Sequence, residues 1–211
     1  MTEKPGILAL WQDCVAGQEA TLEHWYQTEH LAERLGVPGF LRGRRYEAVE
    51  APQQYFTYYE TEAPEVLISP AYRARLDNPT PLTRTVMSDV FLRMSRTICR
   101  VERRIGEIRG ARAVTVKLSD PAAMDGSDLL DTLTASPGVA RAELWTAADD
   151  IAPPPSDEET LRGGDDRIVA CLFVETLREA DARATAEAIE ERLAGAIDEI
   201  GHYRLICELA R

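Results

Sequence analysis

The feature that most constrains this 211-residue chain is an order of secondary-structure signals that runs through once and then repeats. Residues 6–15 are a short apolar run of strand length, and residues 18–35 read as a helix in which Leu22, Trp25, Tyr26, Glu29 and Glu33 share a face. Val37-Pro38-Gly39 ends that helix. Residues 40–49 and 54–62, with Tyr46, Tyr55, Phe56, Tyr58 and Tyr59, flank a turn signal at 50–53 and read as a β-hairpin. Ser69-Pro70 and Thr80-Pro81 each put a capping side chain before a proline at the first helical position. The stretch 64–92 is therefore expected to hold short helices, followed by a strand at 96–104.

The second pass begins with Val114, Val116 and Leu118, which alternate along a half-buried strand. A short helix is expected within 121–135. Ser136-Pro137-Gly138-Val139 then mirrors Gly36-Val37-Pro38-Gly39 ahead of a strand at 139–147. Residues 149–166 are rich in proline, glycine and acid and read as a long exposed hairpin loop. A strand at 167–176, a helix at 178–200 carrying Ala186, Ile189, Leu193, Ala196 and Ile200, and a strand at 202–209 complete the order.

The class this predicts is α+β: two tandem ferredoxin-like βαββαβ halves, residues 1–106 and 107–211. Each half has helices on one sheet face only, so the other face must be covered. Antiparallel sheets packed face to face, as an intrachain pseudo-dimer of the α/β-barrel type with an interior cavity, would cover both.

Charge narrows the function. A net charge of −12 excludes the basic footprint of a nucleic-acid binder. Residues 1–105 carry 13 basic and 14 acidic side chains, whereas 106–211 carry 11 and 22, which places any anion site in the first half. The apolar runs are too short to span a membrane, and the first residues lack the pattern of a signal peptide, so a cytoplasmic protein is expected. Cys14, Cys99, Cys171 and Cys207 are far apart and strand-borne, as buried free thiols would be, and no spacing of metal ligands occurs.

Residues Trp25-Tyr26-Gln27-Thr28-Glu29-His30, followed by Pro38-Gly39-Phe40 and the arginine-rich Arg42-Gly43-Arg44-Arg45-Tyr46, resemble the dimeric α/β-barrel superfamily, and EthD-like proteins most of all. The resemblance covers residues 7–104. It departs at Ala32, where EthD-like patterns commonly have proline two residues after the histidine. The superfamily implies cofactor-free monooxygenases, dehydratases or isomerases acting on aromatic or polyketide-like compounds, and it also includes haem enzymes and members without known activity. No metal and no cofactor is expected from the residues themselves, although the resemblance leaves haem ligation by His30 open. A homodimer is compatible with such a fold.

A hairpin turn centred between Ala51 and Pro52 sets Arg44 opposite Tyr59 and puts Phe40, Arg42, Arg44, Tyr46, Tyr55 and Tyr59 on one face, expected to line the barrel interior. Arginines and phenols there would suit an anionic or aromatic small molecule, with Arg42, Arg44, Tyr46, Tyr59, Trp25 and Tyr26 as ligand contacts. The same residues would equally serve as ion pairs across a sheet interface. His30 is the histidine placed for general acid–base work. The alternative is a non-catalytic ligand-binding or assembly protein using the same barrel.

Overall fold

Eight strands with alternating inward and outward side chains close on themselves. In the computed structural model, which describes residues 4–211, they are β1 (Gly6–Cys14), β2 (Phe40–Glu50), β3 (Tyr55–Thr61), β4 (Phe91–Ile105), β5 (Arg112–Leu118), β6 (Val139–Ala147), β7 (Ala170–Thr176) and β8 (Ile197–Ala210). Their order around an antiparallel barrel is β1-β3-β2-β8-β5-β7-β6-β4, and β4 pairs back to β1. Read from β4, the first four strands run β4-β1-β3-β2. The last four run β8-β5-β7-β6, which is the same order.

The two groups of strands do not lie face to face as separate sheets. They join edge to edge through hydrogen-bonded seams, β2 with β8 and β4 with β6. The physical reason is that four open edges would leave rows of unpaired N–H and C=O groups, and closure pairs them all.

Helices cover the outside in two layers. Over β1–β4 lie α1 (Glu19–Trp25), a π-turn at Tyr26–His30, α2 (Leu31–Leu35), α3 (Pro70–Leu76), α4 (Pro81–Thr85) and a second π-turn at Val86–Val90. The Ser69 and Thr80 hydroxyls accept from Tyr72 N–H and Thr83 N–H, so both expected caps form. Over β5–β8 lie α5 (Leu129–Thr134) and α7 (Glu179–Leu193). The first layer is rich in aromatic side chains, whereas the second is built from Val, Leu, Ile, Ala and Met alone. The last helix ends seven residues before the expected Ile200, because Ile197 and Ile200 belong to β8 and pack under α7 from the strand side.

The barrel interior is filled. Trp11, Tyr46, Phe56, Tyr58, Trp145, Phe173 and Tyr203 interdigitate there, with Trp145 stacked on Phe173 at 4.5 Å between ring centres. The expected interior cavity is thus replaced by aromatic packing. All four cysteines are free thiols, three of them buried.

The expected exposed loop at 149–166 is also corrected. It contains α6 (Asp157–Arg162), capped by Ser156 at its start and by Gly163 in the left-handed conformation at its end. The segment crosses to the first helical layer and buries Ile151 and Glu158 there, with Leu161 packed against that core. Its acidity is not simply solvated, since Glu158 meets a buried arginine.

Candidate functional site

A regular helix through 18–35 would turn Glu29 and Glu33 inward after Leu22, Trp25 and Tyr26. The π-turn at Tyr26–His30 inserts an extra residue, so the inward positions become His30, Leu31, Arg34 and Leu35. Glu29 moves toward the rim, where it accepts from the Thr80 hydroxyl at 2.6 Å. Such π-bulges are frequent at functional sites. Here the bulge delivers a histidine and an arginine, one turn apart, to the space between helices and barrel.

His30 is 5% exposed and its ring stacks on Trp25, with centres 3.8 Å apart. Trp25 is fixed in turn by its indole N–H, which donates to Thr83 Oγ1 at 2.9 Å. The rings of Tyr26 and Tyr59 stand edge-on to the imidazole at 5.3 and 6.0 Å. Burial, reinforced by Arg34, Arg162 and Arg45, holds the imidazole well below its ordinary pKa, so it is neutral near pH 7. Burial and the neighbouring Tyr26 push the Tyr59 phenol well up, keeping it a neutral hydroxyl.

Next to His30 is a space of ≈20 Å³ lined by Trp25, Tyr26, Arg34, Tyr59, Tyr72 and Arg96, among others. That is room for about one water molecule. Two polar atoms around it, His30 Nδ1 and Tyr59 Oη, are buried without a hydrogen-bond partner, while Arg34 Nη1 has the Glu33 carboxylate at 3.5 Å. Unsatisfied buried polar groups are costly and rare, so two beside a space of this size mark a place that accommodates a small polar guest, a water molecule included. The Nη2 of Arg34 donates to both carboxylate oxygens of Glu158, at 2.6 and 2.7 Å. This pair and Arg162, which is bonded to Asp165, form the outer wall. A second cavity of ≈430 Å³ lies further out, under residues 150–156, and Arg96 belongs to the walls of both.

The expected ligand residues divide between two sides of the sheet. Trp25, Tyr26, His30 and Tyr59 do meet in the helical layer. Arg44 and Tyr46 point into the barrel, where both bind the fully buried Glu175; Arg44 also donates to the Gly110 carbonyl at 2.8 Å. Arg42 is half-buried at the barrel end and engaged by Glu208. Tyr55 and Phe40 face the helices. The reason is register: Arg44 lies opposite Tyr58 and Tyr46 opposite Phe56, one residue away from the expected pairing, and a slip of one residue exchanges the faces. The interior arginines are absorbed by ion pairs. Glu60, Glu143 and Glu175 face Arg44, Arg104, Arg109 and Arg141 there, so this cluster is structural.

Sequence reasoning missed Arg34, Tyr72, Arg96, Glu158 and Arg162. Arg34 was within reach, being one helical turn after His30. Glu158 carries no local signal, because it arrives from a hairpin connection 124 residues later. His24 is exposed, and His202 lies half-buried on β8, away from the site.

The site does not fit a haem. The space at His30 Nδ1 is ≈20 Å³, Trp25 covers one imidazole face, and charged pairs wall the approach that a macrocycle would need.

No family model matches the chain, and no curated protein matches it in sequence. Solved structures match it in fold. An anthrone oxidase-like protein aligns over 99% of this chain and 93% of its own, with a TM-score of 0.63 at 10% identity. A candidate monooxygenase from Fusobacterium nucleatum subsp. nucleatum aligns over 100% and 96%, with a TM-score of 0.60 at 8% identity. A candidate chlorite dismutase aligns over 97% and 95%, with a TM-score of 0.59 at 13% identity. At these identities the likeness to this chain is one of fold alone. No helix is long and apolar enough to cross a membrane among the described residues.

Proposed function

We propose that the chain is a cofactor-free enzyme of the monooxygenase, dehydratase or isomerase type, acting on a small aromatic or polyketide-like compound in the layer between α1–α4 and the barrel. The observation that carries this reading is the neutral, buried His30, with Nδ1 unpartnered beside the equally unpartnered Tyr59 Oη. All three reaction types begin by removing an acidic C–H or O–H proton. His30 Nδ1 accepts that proton, and the enolate or phenolate left behind lies in the positive field of Arg34 and Arg162. The imidazolium formed is disfavoured by those same arginines, so the proton is readily returned. Reprotonation elsewhere, loss of hydroxide, or reaction with dioxygen then separates the three outcomes. A flat ring needs more room than ≈20 Å³, so this reading requires the Arg34–Glu158 wall to part when substrate enters. Trp25, Tyr26 and Tyr59 supply ring contacts.

The shared strand order supports taking 1–106 and 107–211 as tandem ferredoxin-like halves; taking the first as EthD-like rests on the sequence resemblance around Trp25–Tyr46 alone. A cytoplasmic setting and a homodimer accompany the reading without bearing on the chemistry.

Deuterium exchange at the acidic C–H of anthrone or a β-diketone, followed by NMR without dioxygen, tests the first step directly. The expected result is catalysed exchange that falls by about 10²-fold or more in His30→Gln. Equal rates in both proteins overturn it. The ≈430 Å³ outer cavity, which lies beyond the inner wall, favours one second reading, a non-catalytic small-ligand protein. Saturable binding with no exchange in the wild type would establish that instead.

A further inference from the structure

The outer cavity has an unusual wall. Arg96, on β4, is half-buried, and its Nη2 donates to Tyr72 Oη at 3.2 Å. Among the described residues it has no carboxylate within ion-pair distance, whereas every other arginine without one at an internal position is exposed. The nearest acids are already taken: Glu158 by Arg34, and Asp165 by Arg162. Asp150, on the rim, is held by Arg100 at 2.5 and 2.7 Å, and Arg73 by Asp77 and the carbonyls of Pro154 and Pro155. Glu159 is the remaining acid on the wall. The other surfaces are apolar: Leu67, Ile68, Leu76 and Ile151, closed over by Pro153 and Pro154. At ≈430 Å³ the space lies within the usual range of about 300–1,000 Å³ for small-molecule sites.

We propose that Arg96 anchors the carboxylate of an apolar, ring-bearing acid whose body lies on Leu67, Leu76 and Ile151 under the 150–156 segment. A partly buried guanidinium with no counter-ion offers a planar pair of donors, and a carboxylate matches them. An unpaired charge in a low-dielectric wall is costly, and an anionic ligand removes that cost. Because Arg96 also lines the inner space, an acid held this way has its carboxylate, not its ring, at the boundary with Tyr72 and His30. This inference goes beyond the proposed function: it assigns a binding site for an aromatic acid in the outer cavity and does not rest on turnover at His30.

Titration calorimetry with 1-naphthoate and its neutral counterpart 1-naphthamide tests binding alone. Naphthoate should bind the wild type, and Arg96→Gln should weaken it by about tenfold or more. Naphthamide should bind weakly to both. Glu159→Gln should tighten naphthoate, since it removes the opposing acid. Ile151→Trp, which fills the cavity and leaves Arg96 in place, should block it even if Arg96→Gln fails to fold. Naphthoate that does not bind, binds equally to Arg96→Gln, or binds normally to Ile151→Trp overturns the proposal. The exchange assay on His30→Gln is read separately, so a failure of the proton-transfer reading leaves this result standing, and the reverse also holds.

Discussion

Arg34 and Glu158 form a two-pronged ion pair, 2.6 and 2.7 Å, in which both side chains are nearly fully buried. It ties α2, beside the candidate histidine, to α6, a helix from the connection between β6 and β7. Removing Glu158 leaves the buried Arg34 with only the Glu33 carboxylate, at 3.5 Å, as counter-charge. Glu158→Ala should therefore cost about 3–5 kcal/mol in urea unfolding, and limited proteolysis should speed up within 149–166. Replacing both partners by Met should recover much of the stability while leaving α6 looser. An unchanged midpoint in Glu158→Ala would show that the segment is held by its apolar contacts.

His30 gives a signed pH dependence. Burial and the three arginines lower its pKa in the fold well below 6.5, while the unfolded chain keeps about 6.5. Below that pH the unfolded state binds more protons, so the contribution of His30 is complete above about 6.5 and drains away as pH falls. The urea midpoint should drop from pH 6.5 downward, and less steeply in His30→Gln. Glu175 works in the opposite sense. Burial raises its carboxyl above 4.5, so its contribution is complete below that value and is lost as pH climbs through the raised one. Glu175→Gln should flatten the profile there.

Arg44 distinguishes structure from site. With Glu175 left buried beside fewer counter-charges, Arg44→Met should cost about 3 kcal/mol or more in chemical denaturation. Naphthoate affinity and His30-dependent exchange should not change in the folded protein. A selective loss of ligand binding would return the site to the barrel interior.

Gly43 on β2 sits against the phenol at the site. A β-carbon there would lie 2.8 Å from Tyr59 Cε1 and 3.2 Å from Leu31 Cδ2. Gly43→Ala should destabilise by about 1–3 kcal/mol and displace the Tyr59 ring, which a shift in the Tyr59 ring resonances would report. Unshifted resonances would mean that the strand yields instead of the ring.

The order of elements was legible because period-two alternation and Pro-Gly stops are local signals. The same holds for the caps at Ser69 and Thr80. The faces were not legible. The hairpin is centred on Ala51, half a residue earlier than the turn signal at 50–53 suggested, and that sends Tyr59 to the helices while Arg44 goes inside. The π-turn does the equivalent in the helix, exchanging Glu29 and Glu33 for His30 and Arg34, and no composition rule announces an extra residue in a turn. His30, Trp25 and Tyr26 were found through resemblance. Their partners Arg96 and Glu158 come from distant strands and connections, where contact depends on how the barrel closes.

Closure of eight strands within one polypeptide has a further consequence. A ring assembled from two identical four-strand chains must repeat every feature on both sides, so a costly pocket with unpaired polar atoms is present twice. Here the ring is continuous, and the layer over β1–β4 carries aromatics, a histidine and unpartnered polar atoms, while the layer over β5–β8 is plain aliphatic packing. The candidate site therefore occurs once, over β1–β4. The second half also sends a single arm, α6, across to the first layer, an asymmetry that a symmetric twin cannot make.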